Sequence, residues 1–102
     1  MKRIALFCSA GMSTSLLVTK MKKAAQAKGI EVSIDAFPEA ALAKQLDDVD
    51  VVLLGPQIKY LFNKAKKLCD EKGVPISVVN TMDYGMMDGE KVLNQALKMM
   101  KQ

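Results

Sequence analysis

The chain has 102 residues, half of them hydrophobic, and a formal net charge of +4. That length suits one domain, residues 1–102, with one core, and that apolar content argues against disorder. Arg3 is the only arginine, the lysines are dispersed and aromatic residues make up 5%, so a nucleic-acid surface of basic and stacking side chains is not expected.

Lys2 to Phe7 reads as a short apolar strand. Helical periodicity follows from Ser13 to Lys28, with Leu17, Val18, Met21, Ala24 and Ala25 on one stripe, and Gly29 suits a helix stop. From Ile30 to Ala36 apolar and polar residues alternate strictly, the mark of a half-exposed strand at a sheet edge. Pro38 and Glu39 suit the first turn of a short helix running to Leu46. Val49 to Leu54 is nearly continuous aliphatic sequence, which predicts a central parallel strand covered on both faces.

Gly55-Pro56 ends that strand. A long helix is predicted from Gln57 to Gly73, with Ile58, Leu61, Phe62, Ala65, Leu68 and Cys69 on its buried stripe; Cys69 is read as core. Pro75 to Val79 is a fourth strand, its proline at the start where a missing donor is tolerated. Asn80 to Met87 is read as a loop. Asp88 caps a last helix with Val92, Leu93, Ala96, Leu97 and Met100 on its stripe.

Strands and helices alternate four times. The expected fold is therefore a three-layer α/β/α sandwich around a parallel sheet, flavodoxin-like or Rossmann-like, with right-handed crossovers. The second strand is half exposed and the fourth begins at proline, so the predicted strand order is 2-1-3-4. Sheet growth then reverses between strands 1 and 3, and ligands bind beyond the carboxyl ends of strands at such a point. Cys8 ends strand 1 there, and Gly55-Pro56-Gln57 and residues 80–87 belong to the same rim.

The loop Cys8-Ser9-Ala10-Gly11-Met12-Ser13-Thr14-Ser15 joins strand to helix through small and hydroxylated residues. Backbone N–H groups in such a loop, with the positive end of the helix dipole, form an anion site. The same field favours a thiolate at its head. Cys8 is thus read as a nucleophile that carries phosphate, against the alternative of an ordinary buried cysteine. The chain has no histidine, so no Cys–His pair activates the sulfur and any phosphohistidine must belong to a partner. The two cysteines form no CxxC pair, so no zinc site or thioredoxin-like site is expected, and no other metal or cofactor. The N-terminal apolar run is too short for a signal peptide, and nothing approaches the ~20 apolar residues of a membrane span. A reducing cytoplasm suits a reactive thiol.

These residues resemble the active-site loop of the enzyme IIB components of the bacterial sugar phosphotransferase system (PTS), in the lactose/cellobiose (type 3) group, and most of all its cellobiose/chitobiose members. Asp35-Ala36-Phe37-Pro38-Glu39, Asp50-Val51-Val52-Leu53-Leu54-Gly55-Pro56-Gln57-Ile58 and Asp83-Tyr84-Gly85 are similar to segments of that family. The resemblance implies a phosphoryl carrier. Cys8 takes phosphate from a phosphohistidine of the IIA protein. It passes the group to a β-linked disaccharide of cellobiose type that crosses the membrane through the IIC transporter. The backbone amides of Ser9, Ala10, Gly11, Met12, Ser13, Thr14 and Ser15 hold the phosphoryl group. The chain is expected to work as a monomer at the inner face of the membrane without spanning it. Ala10 and Met12 are candidates for an apolar contact that excludes water. Tyr84 touches either the loop or a partner, and plain packing is the alternative for Met12 and Tyr84; the hydroxyls of Ser13 and Thr14 either bind phosphate or cap the helix.

The loop also resembles that of low-molecular-weight tyrosine phosphatases, which place an arginine six residues after the nucleophilic cysteine. Here that position is Thr14. An arginine would stabilise the transition state for hydrolysis, and without one attack by water on a phosphocysteine should be slow. A phosphatase or arsenate reductase is therefore the competing enzyme reading. A flavodoxin-like binding module with no reactive thiol is the non-enzymatic one.

Overall fold

The N-terminal apolar run becomes strand β1 (Lys2–Cys8), hydrogen-bonded on both sides. The computed structural model describes residues 2–9 and 12–100, residues 12–14 by their backbone. The described strands make one parallel sheet in the order β2-β1-β3-β4, with β2 at Val32–Pro38, β3 at Val51–Leu54 and β4 at Ile76–Val78. This is the order read from the burial pattern of the strands.

Alternation along β1 and β3 builds the two halves of the core. Ile4, Leu6, Val51 and Leu53 face helices α1 (Met12–Ala27) and α5 (Gly89–Met100), packing with Leu17, Met21, Val92, Leu93 and Ala96. Ala5, Phe7, Val52 and Leu54 face the other layer, with Ile58, Ala65 and Cys69 around helix α3 (Phe62–Lys72). A strand covered on both faces has no position for a polar side chain, so its sequence shows no alternation. Helices α1 and α5 pack face to face, and Gly89 is where they touch. A Cβ there would stand 2.5 Å from the Lys20 carbonyl carbon and 2.7 Å from the Met21 nitrogen.

The strand and helix limits differ from the sequence reading where local hydrogen bonding intervenes. β2 starts at Val32 rather than Ile30, because Gly29 (φ +68°) turns the chain and the Ile30 N–H donates back to the Ala25 carbonyl at 2.9 Å. It runs on through Phe37 and Pro38, since the whole of β1 lies alongside, Lys2 opposite Val32 and Cys8 opposite Pro38. The short helix after Pro38 is broken into a 3₁₀ turn (Glu39–Ala41), α2 (Leu42–Gln45) and a second 3₁₀ turn (Leu46–Asp48). The long helix expected from Gln57 begins as 3₁₀ turns over Pro56–Leu61 and becomes α-helical at Phe62. Ile58 leaves helical geometry there (φ −115°, ψ 24°) and is 1% exposed, so burying its side chain takes precedence over regular winding.

Residues 80–87 are not a loop throughout. Thr81–Gly85 forms helix α4, whose first turn is capped by the Asn80 side chain accepting from the Met82 and Asp83 N–H groups at 2.9 and 3.1 Å. With no apolar stripe of its own length to betray it, this one-turn helix rests on its cap. Asp88 caps α5 as read, its carboxylate accepting from the Lys91 N–H at 3.1 Å.

Candidate functional site: the carboxyl rim of the sheet

All the strands run the same way, so the segments that leave their carboxyl ends share one rim. β1 delivers Cys8 to it and α1 starts four residues later, at Met12. β2 lies on one side of β1 and β3 on the other, so Cys8 stands where the sheet's direction of growth reverses, with a helix N-terminus beyond it. That is the placement an anion-binding cysteine needs.

Cys8 is fully buried, 0% exposed. Ser9 and Ser15 are exposed, and the Ser15 carbonyl accepts from the Thr19 hydroxyl at 3.1 Å inside α1. Ala10 and Gly11 lie outside the described residues, as do the side chains of Met12, Ser13 and Thr14. The backbone of residues 12–15 forms the first turn of α1, whose leading N–H groups carry the partial positive charge of the helix end.

The neighbouring segments close over the end of β1. The Gly55 N–H donates to the Phe7 carbonyl at 2.8 Å, continuing the β1–β3 ladder past Leu54. The Gln57 side chain folds back over Gly55, so close that a Cβ on Gly55 would collide with Gln57 Oε1 and stand 3.4 Å from the Phe7 carbonyl oxygen. The other end of that carboxamide reaches across the rim, Nε2 donating to the Tyr84 hydroxyl at 2.7 Å. Tyr84 in turn packs its ring on the cluster that holds Ile4, Leu6 and Leu17. The sequence put Gln57 and Tyr84 on the same rim, but nothing in their spacing of 27 residues announced the bond between them.

Four large apolar side chains stand exposed among the described residues: Leu16 (54%), Tyr60, Met82 and Met86 (each 72%). Leu16 is in α1, Tyr60 in the 3₁₀ segment after β3, and Met82 and Met86 on or beside α4. Each belongs to a segment that leaves the carboxyl end of a strand. Cys69, by contrast, is enclosed on the buried face of α3. Burial, with a smaller push from the Asp70 carboxylate and an opposing pull from Lys66, raises its thiol to about 11.

A four-stranded parallel sheet in the order β2-β1-β3-β4, flanked by helices and with a cysteine at its switch point, defines a flavodoxin-like α/β protein. The family model for the "PTS system, Lactose/Cellobiose specific IIB subunit" matches residues 3–95, and the chain belongs to that family. It is 45% identical over 100 residues to the oligo-beta-mannoside-specific EIIB component of Bacillus subtilis, covering 98% of this chain and 97% of the other. It is equally 45% identical, over 104 residues, to the galactose-specific EIIB component of Lactococcus lactis, covering 97% and 96%. The solution structure of a cellobiose-specific phosphotransferase IIB component from Borrelia burgdorferi superposes with a TM-score of 0.82 at 43% identity, over 98% of this chain and 92% of that one. The chain is therefore a phosphotransferase component of a PTS for sugar uptake. Among the described residues no helix is long and apolar enough to cross a membrane.

Proposed function

We propose that Cys8 is the phosphoryl-accepting residue, that residues 1–102 act as one domain and one monomer, and that the sugar served is a β-disaccharide of cellobiose type. The observation that carries the first reading is the place of Cys8: carboxyl end of β1, switch point of the sheet, N-terminus of α1 ahead.

The Cys8 thiolate attacks the phosphorus of a phosphohistidine on the IIA protein. The P–N bond breaks as the S–P bond forms, and the imidazole leaves with the electron pair and takes a proton. The amides of Ser9, Ala10, Gly11, Met12, Ser13, Thr14 and Ser15 hold the three phosphoryl oxygens as charge shifts between donor and acceptor. In the second transfer a sugar hydroxyl held by the IIC transporter attacks, the S–P bond breaks and the thiolate is restored. The hydroxyl proton goes to a base outside this loop. Thr14 stands where a phosphatase carries arginine, so water is a poor competitor for the sugar.

Cys8 is buried at the carboxyl rim, where β1 ends, and a partner docks on that face. The exposed apolar side chains around the rim suit that docking, and both partners use the face in turn at the inner surface of the cytoplasmic membrane. The choice of sugar rests with the transporter: relatives of equal identity are named for oligo-beta-mannoside and for galactose.

Incubation with a phosphorylated IIA partner is expected to place one phosphoryl group on each chain at Cys8, and Cys8→Ser to lose it. A label that persists in Cys8→Ser overturns the assignment. Rapid turnover of p-nitrophenyl phosphate by the wild-type chain returns the phosphatase reading.

A further inference from the structure

The sheet edge at β4 is closed by a side chain. β4 is three residues long and, among the described strands, pairs only with β3. The Val79 N–H points to β3 and donates to the Leu54 carbonyl at 2.8 Å. The other half of that peptide group, the Val78 carbonyl, therefore points away from β3, to the open edge. Groups on an open edge have no ladder partner. Gln95, half-buried on α5, supplies one. Its Nε2 donates to the Val78 carbonyl and to the Ser77 hydroxyl, each at 2.9 Å, and its Oε1 accepts from the Asn80 N–H at 3.3 Å. A donor toward residue 78 and an acceptor toward residue 80 are what one residue of a neighbouring parallel strand would offer.

We propose that Gln95 is a positioning residue for partner docking: standing in for a further strand, it fixes Asn80 and, through Asn80, the exposed face of α4. This rests on the reading that a partner covers the carboxyl rim. Asn80 is the link. Its N–H is held by Gln95, while its side chain accepts from the Met82 and Asp83 N–H groups at 2.9 and 3.1 Å as the N-cap of α4. A helix of five residues has little internal bonding and depends on its cap. Met82 and Met86 stand four positions apart, on one face of the turn, each 72% exposed. Tyr84 packs instead on the apolar cluster shared with α1 and α5. The ring anchors the inner side of the turn and the cap held by Gln95 anchors its start, so the two methionines stand where both anchors put them. Without the carboxamide the start of α4 must be ordered when the partner arrives, and that ordering is subtracted from the affinity.

The test is the rate at which the full chain takes phosphate from its IIA partner, over a range of donor concentrations, for wild type, Gln95→Met, Asn80→Ala and Met82→Asp. Gln95→Met keeps the stem and removes every hydrogen bond of the carboxamide. It is expected to raise KM for the donor about fivefold and to leave the maximal rate unchanged. Amide exchange at Met82 and Asp83 should quicken, while Leu6 and Leu53 in the centre of the sheet keep wild-type protection. Asn80→Ala, which removes the cap, is expected to raise KM in the same way. Because Gln95 and Met82 act through one contact, the double variant Gln95→Met/Met82→Asp should raise KM no further than Met82→Asp alone. A wild-type KM in Gln95→Met, with KM raised in Met82→Asp, overturns the inference alone, and so does an effect that adds in full to that of Met82→Asp. If Gln95→Met does not fold, a wild-type KM in Asn80→Ala overturns it. KM unchanged in both Gln95→Met and Met82→Asp overturns the docking reading and this inference with it, and so does a wild type that takes no label at Cys8.

Discussion

The two cysteines are equally buried and differ in what surrounds them. Cys8 ends β1 at the carboxyl rim, whereas Cys69 sits inside an apolar cluster among Phe7, Leu54, Ile58 and Ala65. Burial there lifts the Cys69 thiol from its ordinary 9.0 to about 11. Below pH 9 folded and unfolded chains both hold that proton. Above it the unfolded chain releases the proton first and the folded chain keeps it until about pH 11, so the unfolded state binds fewer protons and stability falls as pH rises through this window. Denaturant melts from pH 8 to 11 are expected to show a steeper alkaline loss in wild type than in Cys69→Ala, even though the variant starts lower by about 1 kcal/mol for its small cavity. Parallel slopes in the two proteins would remove this account of Cys69.

At the scale of elements, the contact of α1 with α5 governs how the helix behind the loop is held. Gly89 allows it by lacking a side chain, and the atoms it would strike are Lys20 and Met21 backbone, which cannot swing aside. Gly89→Ala is expected to destabilise the fold by about 1–3 kcal/mol, the usual cost of overpacking, measured by urea unfolding. Because the contact grips α1 at Lys20 and Met21, about two turns beyond the helix's N-terminus, the same variant should also slow phosphoryl acceptance in stopped-time labelling. Gly55 is the opposite case: its close neighbour is the end of a flexible glutamine side chain, which can move. α4 shows how little sequence a helical turn needs: one asparagine cap, Asn80, and one aromatic anchor, Tyr84, hold it against the apolar cluster shared with α1 and α5.

For the whole molecule the telling feature is asymmetry between the two ends of the sheet. The exposed apolar residues Leu16, Tyr60, Met82 and Met86 follow carboxyl ends, around the same rim as Cys8. A protein that hands phosphate between two others needs one face that each can cover and leave, and dispersed apolar side chains give contact area without fixing a single partner. Met82→Asp and Met86→Asp are each expected to raise KM for the phosphorylated IIA partner about tenfold, the effect of removing a well-placed contact. Folding should be unaltered, since both side chains are solvent-facing. Transfer kinetics identical to wild type would place docking elsewhere.

The sequence by itself determined the layers, the strand order and the position of Cys8, because each follows from local pattern. Continuous aliphatic runs make β1 and β3 central, alternation makes β2 an edge, and a small-residue loop between strand and helix marks the rim. It did not determine where helix gives way to 3₁₀ winding at Ile58, the capped turn at Thr81–Gly85, or the burial of Cys8. Nor did it join Gln57 to Tyr84. Those depend on which surfaces are brought together by the parallel crossovers. A hydrogen bond between residues 27 positions apart has no periodicity to announce it, and only the tertiary packing of the segments after β3 and β4 brings the two groups within 2.7 Å.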